Sequence, residues 1–305
     1  MKNYLWWLAK VITLFLFLIV IPVFLITAFV IAAKFMASFQ DEVDQNNKNV
    51  VAVIELNDEI MKSKEVVDEL YKQVKNPKVK GIVLRIDSPG GAVAPSQDIY
   101  GTVKKLKEKK PIVVSMGSVA ASGGLYSALG ASKILCQPGT LTGSIGVIMQ
   151  IPNVAKIADQ VGFKMVTLRS GQFKDAGNMF REMTPEDRNL LNGTIMDVRE
   201  QFVQAVVDGR GLRRADVEKF ADGRVILGSE AKKLGLVDDF GDVYDAGRVV
   251  FELLNEPLPE GVYPTLFYPE DNMKKFKKIL QGFFAIPLQV FFKETNSSEI
   301  KMLYR

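Results

Sequence analysis

An unbroken apolar run near the N-terminus limits this part of the chain to a membrane-spanning helix. The run extends from Val11 to Ala33 and is bounded by Lys10 and Lys34. Its roughly 23 residues make a helix of about 35 Å, enough to cross a hydrocarbon core of about 30 Å. Pro22, near the middle, predicts a kink, which a membrane helix tolerates where neighbouring groups satisfy the freed carbonyl. The sequence therefore predicts one transmembrane helix over residues 11–33.

The charges on either side of this run predict its orientation. Lys2, Lys10 and the α-amine precede it, whereas Lys34 is soon followed by three acidic residues at positions 41–44. The positive-inside rule then places residues 1–10 in the cytoplasm and the rest on the extracytoplasmic side of the inner membrane. A cleaved signal peptide is the alternative, although the run is far longer than a signal-peptide core of about 7–15 residues.

The composition changes after the apolar run. Residues 34–49 are polar and rich in Asn and Gln, which indicates a tether. From residue 50, short runs of Val and Ile alternate with segments whose apolar residues recur at helical spacing, so we predict a layered α/β domain over residues 50–262. Residues 263–305 form a C-terminal part. It includes an amphipathic helix at Asn272–Phe292 that lies against the membrane or a neighbouring subunit. Packing of this helix on its own domain is the equally expected alternative.

The same patterns predict the individual elements. Buried strands are expected at Val50–Leu56, Gly81–Ile86, Pro111–Ser115, Lys133–Cys136, Ile145–Met149 and Lys164–Leu168. Helices are expected at Lys64–Val74, Ser96–Lys107, Asn153–Gln160, Pro185–Gly209, Arg214–Phe220, Ser229–Leu234 and Asp242–Leu253. The clearest helix start is Thr184-Pro-Glu-Asp187, with Thr as N-cap, Pro at the first position and Asp three residues after the cap.

Charge and cysteine content exclude several functional classes. The net charge of +4 is small for 305 residues and comes from interspersed signs, so no nucleic-acid partner is expected. Cys136 is the sole cysteine, which excludes an intrachain disulfide and a cysteine cluster for zinc. It lies in an apolar run and is expected to be a small core residue.

The chain contains no histidine, and this absence restricts its catalytic chemistry. In Gly117–Tyr126 (GSVAASGGLY), Ser122 stands among small residues at an expected strand-to-helix transition. A hydroxyl becomes a good nucleophile only when a neighbouring group takes its proton. If Ser122 is a nucleophile, its base must therefore be a carboxylate or a lysine that burial keeps neutral.

Two glycine-containing segments predict an oxyanion-binding site near this serine. Asp87–Gly91 (DSPGG) follows an expected strand, and adjacent glycines let a backbone amide approach a ligand closely. An ordinary turn is the alternative for this segment. Gly123 directly follows Ser122 at the start of an expected helix, where free amides stabilise a developing oxyanion.

Two further segments carry polar groups suited to such a site. Pro138–Val147 (PGTLTGSIGV) is rich in glycine and hydroxyls, and its Ser144 either holds a catalytic base or belongs to a tight turn. Ser170–Gly177 (SGQFKDAG) places Lys174 among small or apolar residues. A lysine acts as a base only where desolvation lowers its pKa toward the working pH, and a surface lysine is the alternative.

Taken in order, the four segments are much more specific than any one of them. A strand followed by DSPGG, then GSVAASGGLY, GTLTGSIGV and SGQFKDAG, closely resembles the signal peptide peptidase A family of membrane-bound serine proteases. Residues 222–241 also resemble the run that follows the catalytic lysine in that family. The resemblance covers roughly residues 50–250 and the N-terminal helix. It implies a Clp-protease-like or crotonase-like α/β fold of layered sheet and helices.

The resemblance implies a Ser/Lys dyad. Ser122 would be the nucleophile, Lys174 the general base, and Ser144 the residue that hydrogen-bonds the lysine. Such a dyad needs no metal or organic cofactor. The single catalytic copy matches the family's short form, whose members usually assemble into homo-oligomeric rings in which neighbouring subunits complete each site.

The resemblance also implies the oxyanion hole. Gly91 and Gly123 would supply its amides, with Gly90 taking the place of Gly91 if the register is off by one. Two departures from the family pattern are mild. Phe173 stands where the family often has tyrosine, and Leu125 where a second aromatic residue is common; neither belongs to the dyad.

Family membership would make the chain a serine endopeptidase that degrades signal peptides left in the membrane after their cleavage from preproteins. Its partners would be signal peptides or other apolar peptide segments, together with membrane lipid. Ile300–Tyr304 resembles the apolar-aromatic end of the family and is expected to dock as a strand near a substrate groove. The alternatives are a related membrane protease acting on a stomatin-like membrane protein, a crotonase-type acyl-CoA enzyme, and an inactive membrane-tethered scaffold.

Overall fold

The computed structural model describes residues 2–38 and 49–269, which fall into two units. The first unit is a long apolar helix that consists of α1 (Lys2–Phe15), a π-helical turn (Leu16–Val20) and α2 (Ile21–Ser38). Within it, the most apolar 18-residue window of Tyr4–Ala32 has a mean hydropathy of 3.1. This helix is long and apolar enough to cross a membrane, as an anchor or as a signal sequence.

The π-helical turn lies just before Pro22, where the sequence predicts a kink. Because proline has no N–H and its ring crowds the carbonyl four residues earlier, a regular α-helix is disturbed at this point. The amide of Ile21 donates to the carbonyl of Leu16, which is the i→i−5 spacing of a π-helix. The helix therefore continues past the proline to Ser38, inside the segment 34–49 that was expected to be a tether.

The second unit alternates strands and helices along the chain. Its strands are β1 (Val50–Asn57), β2 (Gly81–Ser88), β3 (Ile112–Ala120), β4 (Lys133–Cys136), β5 (Leu141–Gly143), β6 (Val225–Leu227), β7 (Asp239–Phe240) and β8 (Thr265–Phe267). Its helices are α3 (Lys64–Lys75), α4 (Val93–Leu106), α5 (Gly123–Ala128), α6 (Ala155–Gln160), α7 (Pro185–Arg210), α8 (Arg214–Val217), α9 (Gly228–Lys233) and α10 (Val243–Leu253).

The strands form a parallel sheet with a branch at β3. The order β8-β1-β2-β3-β4-β7 is parallel throughout, and α3 and α4 supply the crossovers that parallel neighbours need. Beyond its pairing with β4, β3 continues and pairs at Val119 with Leu141 of β5, which in turn pairs antiparallel with β6. The branch therefore brings the carboxyl ends of β2 and β3 beside β5, the part of an α/β sheet where ligands usually bind.

The core consists of apolar strand residues covered by helices. Val51, Val83 and Val113 from three neighbouring strands pack in one cluster with Val250 and Phe251 of α10. Strands buried on both faces require such continuous apolar runs, which is why the sequence predicts them well. Cys136 of β4 is buried as expected, and burial raises the pKa of its thiol to about 11.

Two expected strands do not form within the described residues. Ile145–Met149 and Lys164–Leu168 are irregular, and the strand in this region is Leu141–Gly143 instead. Ile145 is buried, but other apolar side chains of these runs are exposed, Leu168 to 94% and Ile148 to 82%. An apolar run indicates burial but not the partner that buries it, and within the described residues no strand pairs with these segments.

The beginning of the C-terminal part, residues 265–267, pairs with the first strand of the sheet. β8 pairs with β1 through Val50–Ala52, although the sequence grouped residues 263–305 apart from the domain. The expected helix at Asn272–Phe292 and the terminal segment Ile300–Tyr304 lie outside the described residues, as do residues 39–48 of the expected tether.

Helix α7 begins as the sequence predicts. The Asp187 amide donates to Thr184 Oγ1 at 3.1 Å, and the Thr184 amide donates to the Asp187 carboxylate at 3.2 Å. This reciprocal pair is a capping box. The Asp187 side chain is also buried and accepts a hydrogen bond from Arg181, which holds the pKa of the carboxyl below its usual value.

We expect Asp187→Asn to lower Tm more than the same change at Asp245. Asp245 closes a second capping box with Asp242 at the exposed start of α10, so its replacement removes only a cap. Replacing Asp187 also deprives Arg181 of a buried partner, so the drop in Tm at pH 7 is about twice as large. Circular dichroism melts of the two variants measure this, and equal drops would contradict a stabilising role for the buried pair.

The contribution of Asp187 to the stability of the fold depends on pH. The folded pKa of Asp187 is depressed, so its contribution to stability is complete above the unfolded value of about 3.9. It is lost as the pH falls through the folded pKa. The Tm difference between the wild type and Asp187→Asn therefore shrinks in acid, which repeats of the same melts at lower pH measure.

Candidate active site

The loop after β2 is braced by the chain that follows β1. The amide of Ile60 donates to the Gly90 carbonyl at 2.8 Å, and the amide of Ala92 donates to the Ile60 carbonyl at 2.8 Å. Ile60 is 2% exposed, so water does not compete for this brace. These two hydrogen bonds use the Gly90 carbonyl and the Ala92 amide, on either side of Gly91. Among the described residues they leave the Gly91 amide without a partner.

Ser122 joins β3 to α5 with backbone angles that residues other than glycine rarely adopt. Its φ is 51° and its ψ is −120°. Such strain costs about 1–3 kcal/mol and is concentrated at functional sites. The Ser122 amide donates to the Gly143 carbonyl at 2.9 Å, and its carbonyl accepts from the Tyr126 amide at 2.8 Å. These bonds hold the half-buried side chain at the start of a buried helix.

The amides of Gly91 and Gly123 lie next to each other beside Ser122. A Cβ added to Gly123 would be 3.2 Å from the Gly91 nitrogen, and a Cβ added to Gly90 would be 2.7 Å from the Gly123 nitrogen. Within the described residues, neither the Gly91 nor the Gly123 amide donates a hydrogen bond. Two free amides beside a serine hydroxyl form the kind of donor pair that binds an oxyanion.

Ser122, both glycines and Ser144 line one cleft with a volume of about 680 Å³. Ser144 has a φ of 53°, and its amide donates to the Arg224 carbonyl at 2.8 Å. Most of the remaining wall is apolar and includes Val93, Tyr126, Ile145, Val147, Met196 and Phe202. An apolar cleft with a few convergent polar groups is typical of a substrate site.

Lys174 does not line this cleft. Its side chain is exposed, in a turn that follows the irregular segment Lys164–Leu168. Nearby apolar side chains are exposed as well, Val166 to 81% and Phe173 to 43%. The structure therefore brings together Ser122, Ser144 and the glycine amides, and leaves Lys174 on a separate exposed segment.

The segment that carries Lys174 is nevertheless held in place. Asp175, the next residue, accepts hydrogen bonds from Arg169 and from Arg181 Nε, the latter at 3.0 Å. These two guanidinium groups hold the pKa of the Asp175 carboxyl well below its usual value. Because Arg181 also bonds the buried Asp187, the position of the lysine is linked to the start of α7.

Helix α7 also forms a wall of the cleft, which the sequence did not indicate. Ile195, Met196 and Phe202 line it, together with Arg199. The apolar spacing along a helix is the same whether its face covers a core or a cleft. Asp222 lies at the same cleft, and hydrogen bonds from Arg224 lower its pKa to about 2, so the two side chains form an ion pair there at neutral pH.

The fold belongs to the Clp-protease class. Residues 40–162 match the family model described as Clp protease, and residues 104–255 match the model of peptidase family S49. A ClpP1 variant from Listeria monocytogenes overlaps with a TM-score of 0.43 and 18% identity, over 64% of this chain and 94% of that one. This overlap is loose, so the fold class rests on the family match and the branched parallel sheet.

Three similar proteins carry protease or peptidase names, in agreement with the match to peptidase family S49. A Synechocystis sp. protein named as a protease is 42% identical over 60% of this chain and 66% of its own length. The chloroplastic serine protease SPPA of Arabidopsis thaliana is 32% identical over 66% of this chain and 30% of its own. An Enterococcus faecium protein named as a signal peptide peptidase is 34% identical over 58% and 52%.

The chain belongs to peptidase family S49, whose members are proteases, and a serine-type protease fits this family. It spans about two thirds of the length of the Synechocystis relative and less of the other two.

Proposed function

We propose that the chain is a membrane-anchored serine endopeptidase in which Ser122 is the nucleophile and Lys174 the general base. One observation carries the proposal: a strained serine opens onto an apolar cleft directly beside two free amides. The chain has no histidine, so a lysine is the base that the family membership favours. The amides of Gly91 and Gly123 would form the oxyanion hole.

The reaction would proceed by acyl transfer. The uncharged Nζ of Lys174 takes the Ser122 proton as Oγ attacks the peptide carbonyl carbon, and the carbonyl electron pair moves to oxygen. The Gly91 and Gly123 amides hold this oxyanion. When it collapses, the amine leaves with the proton from Lys174. Lys174 then takes a proton from a water molecule as that water attacks the acyl-serine, and returns the proton to Ser122 Oγ when the acyl carbon–Oγ bond breaks. The carboxylic acid product leaves and ionises in solvent, which restores free Ser122 and uncharged Lys174.

In this proposal, a neighbouring copy of the chain supplies the lysine. Support comes from the exposure of Lys174 outside the cleft and from the exposed apolar residues beside it, such as Leu168. Packing of this segment on a second copy would remove apolar surface from water and desolvate the lysine, as a lysine base requires. A head-to-tail contact of this kind, repeated around an axis, closes a ring.

The proposed substrates are apolar peptide segments at the membrane, in particular signal peptides that remain after cleavage. The cleft beside Ser122 is largely apolar, and the N-terminal helix can hold the domain at a bilayer. The charges around the helix favour a cytoplasmic N-terminus and an extracytoplasmic domain. The relative from Enterococcus faecium is named as a signal peptide peptidase.

Mass spectrometry after treatment with a small fluorophosphonate tests the proposal. We expect one adduct on Ser122 of the full-length protein in detergent, and no adduct in Ser122→Ala or Lys174→Ala. Ser118→Ala is the matched control, because Ser118 is exposed on β3 and does not line the cleft. A folded wild type without an adduct would contradict an activated serine and favour a scaffold.

A further inference from the structure

The Ser122 cleft and a second pocket have one lining residue in common. Tyr126 lines the cleft of about 680 Å³ and also a neighbouring surface pocket of about 450 Å³. The second pocket is further lined by Tyr100, Gln201 and Ala205. Tyr126 is 8% exposed, so its ring is packed between the two spaces.

The ring of Tyr126 is held on both sides by other aromatic rings. On the cleft side, the centroid of Phe202 is 4.7 Å away. On the side of the second pocket, Tyr100 meets it edge-on at 5.3 Å and 87°. The hydroxyl donates a long hydrogen bond of 3.4 Å to the Gln201 carbonyl. These contacts hold the ring in place as a partition between the Ser122 cleft and the second pocket.

The backbone of α5 fixes the position of Tyr126 relative to Ser122. The Tyr126 amide donates to the Ser122 carbonyl at 2.8 Å, which places the tyrosine one helical turn after the serine. Every residue of α5 is buried, so the helix cannot shift to enlarge the cleft without disturbing the core. The side chain at position 126 therefore bounds the cleft close to Ser122.

We propose that Tyr126 is a specificity-determining residue, the floor of the apolar subsite beside Ser122, which limits the size of the substrate side chain bound there. The inference rests on the proposed function and adds to it a size limit. With a smaller residue at this position, the subsite opens toward the second pocket and accepts a bicyclic aromatic side chain. Tyrosine excludes such a side chain because the space is already filled by its own ring.

Two peptides that differ only before the scissile bond, with leucine or 2-naphthylalanine, test this limit. For Tyr126→Leu, we expect the ratio of kcat/KM for the naphthyl peptide over the leucine peptide to rise about tenfold or more. Tyr126→Phe keeps the ring and the ratio. Gln204→Ala, at a residue that lines only the second pocket, also keeps the ratio. An unchanged ratio in folded Tyr126→Leu, or an equal rise in Gln204→Ala, overturns the inference.

A second readout needs no proteolysis. In full-length Ser122→Ala protein in detergent, calorimetry gives the Kd of each peptide, and adding Tyr126→Leu shifts the Kd ratio about tenfold toward the naphthyl peptide. If this shift occurs while the wild type cleaves neither peptide, the proposed function fails and the size limit stands. An unchanged Kd ratio overturns the size limit whatever the activity. Tyr126→Met, which retains more packing volume, replaces Tyr126→Leu if the latter does not fold.

Discussion

Oligomers that mix Ser122→Ala chains with Lys174→Ala chains are expected to regain about a quarter of wild-type peptidase activity. Each variant alone loses about 10⁴-fold or more in kcat, because the members of a catalytic unit act together. In an equal mixture, a site is active only where a Lys174→Ala chain supplies the serine and its neighbour, a Ser122→Ala chain, supplies the lysine. Random pairing produces this combination at about one site in four.

The experiment uses two affinity tags and co-expression, so that purification on both tags selects mixed oligomers. Activity is measured in detergent on a fluorogenic apolar peptide. Lys164→Ala is the matched control, because Lys164 is another exposed lysine, ten residues before Lys174, and this variant alone keeps its activity. Mixed oligomers without regained activity would mean that each site takes both residues from one chain.

Replacing Gly90 by Ala should remove most of the activity although no catalytic side chain changes. Gly90 has a φ of +106°, and an added Cβ would be 2.7 Å from the Gly123 nitrogen and 2.9 Å from Ser122 Cβ. The loop must then move, and the movement separates the Gly91 amide from the Gly123 amide. Loss of one oxyanion donor costs about 10²–10³ in kcat.

Gly139→Ala is the control for this prediction, because among the described residues other than its two chain neighbours no atom lies within 4 Å of a Cβ added at Gly139. Peptide cleavage and the rate of Ser122 modification by fluorophosphonate are measured for both variants, with Tm as a check of folding. We expect the Gly139 variant to match the wild type in all three. If Gly90→Ala keeps wild-type kcat, the two amides do not form the oxyanion hole.

The parts of the fold that could be predicted depend on local patterns. Thr184 and Asp187 form the predicted capping box because both partners lie within four residues. Strands β1 to β3 are buried on both faces, so their continuous apolar runs identify them. The strands expected at Ile145–Met149 and Lys164–Leu168 were wrong, because an apolar run does not specify the surface that covers it.

In the candidate site, too, only the features that depend on residues adjacent in the chain could be predicted. Gly123 follows Ser122 directly, so its amide was foreseeable from sequence alone. The hydrogen bond from the Ile60 amide to the Gly90 carbonyl was not foreseeable. It joins the chain after two strands whose register is set only in the folded sheet. The α7 wall of the cleft and the partition at Tyr126 likewise depend on packing between distant residues.

The apolar helix, the class of fold and the order of the segments that resemble the protease family all follow from the amino-acid sequence. It also excluded histidine as a base, because composition needs no structure. Which of those segments lie together depends on the folded chain. Sheet register and the crossover helices bring Gly91, Ser122 and Ser144 to one cleft, whereas the path of the chain after β5 leaves Lys174 exposed outside it. Contacts between residues far apart in the chain are set by the packed fold, and local sequence patterns do not encode them.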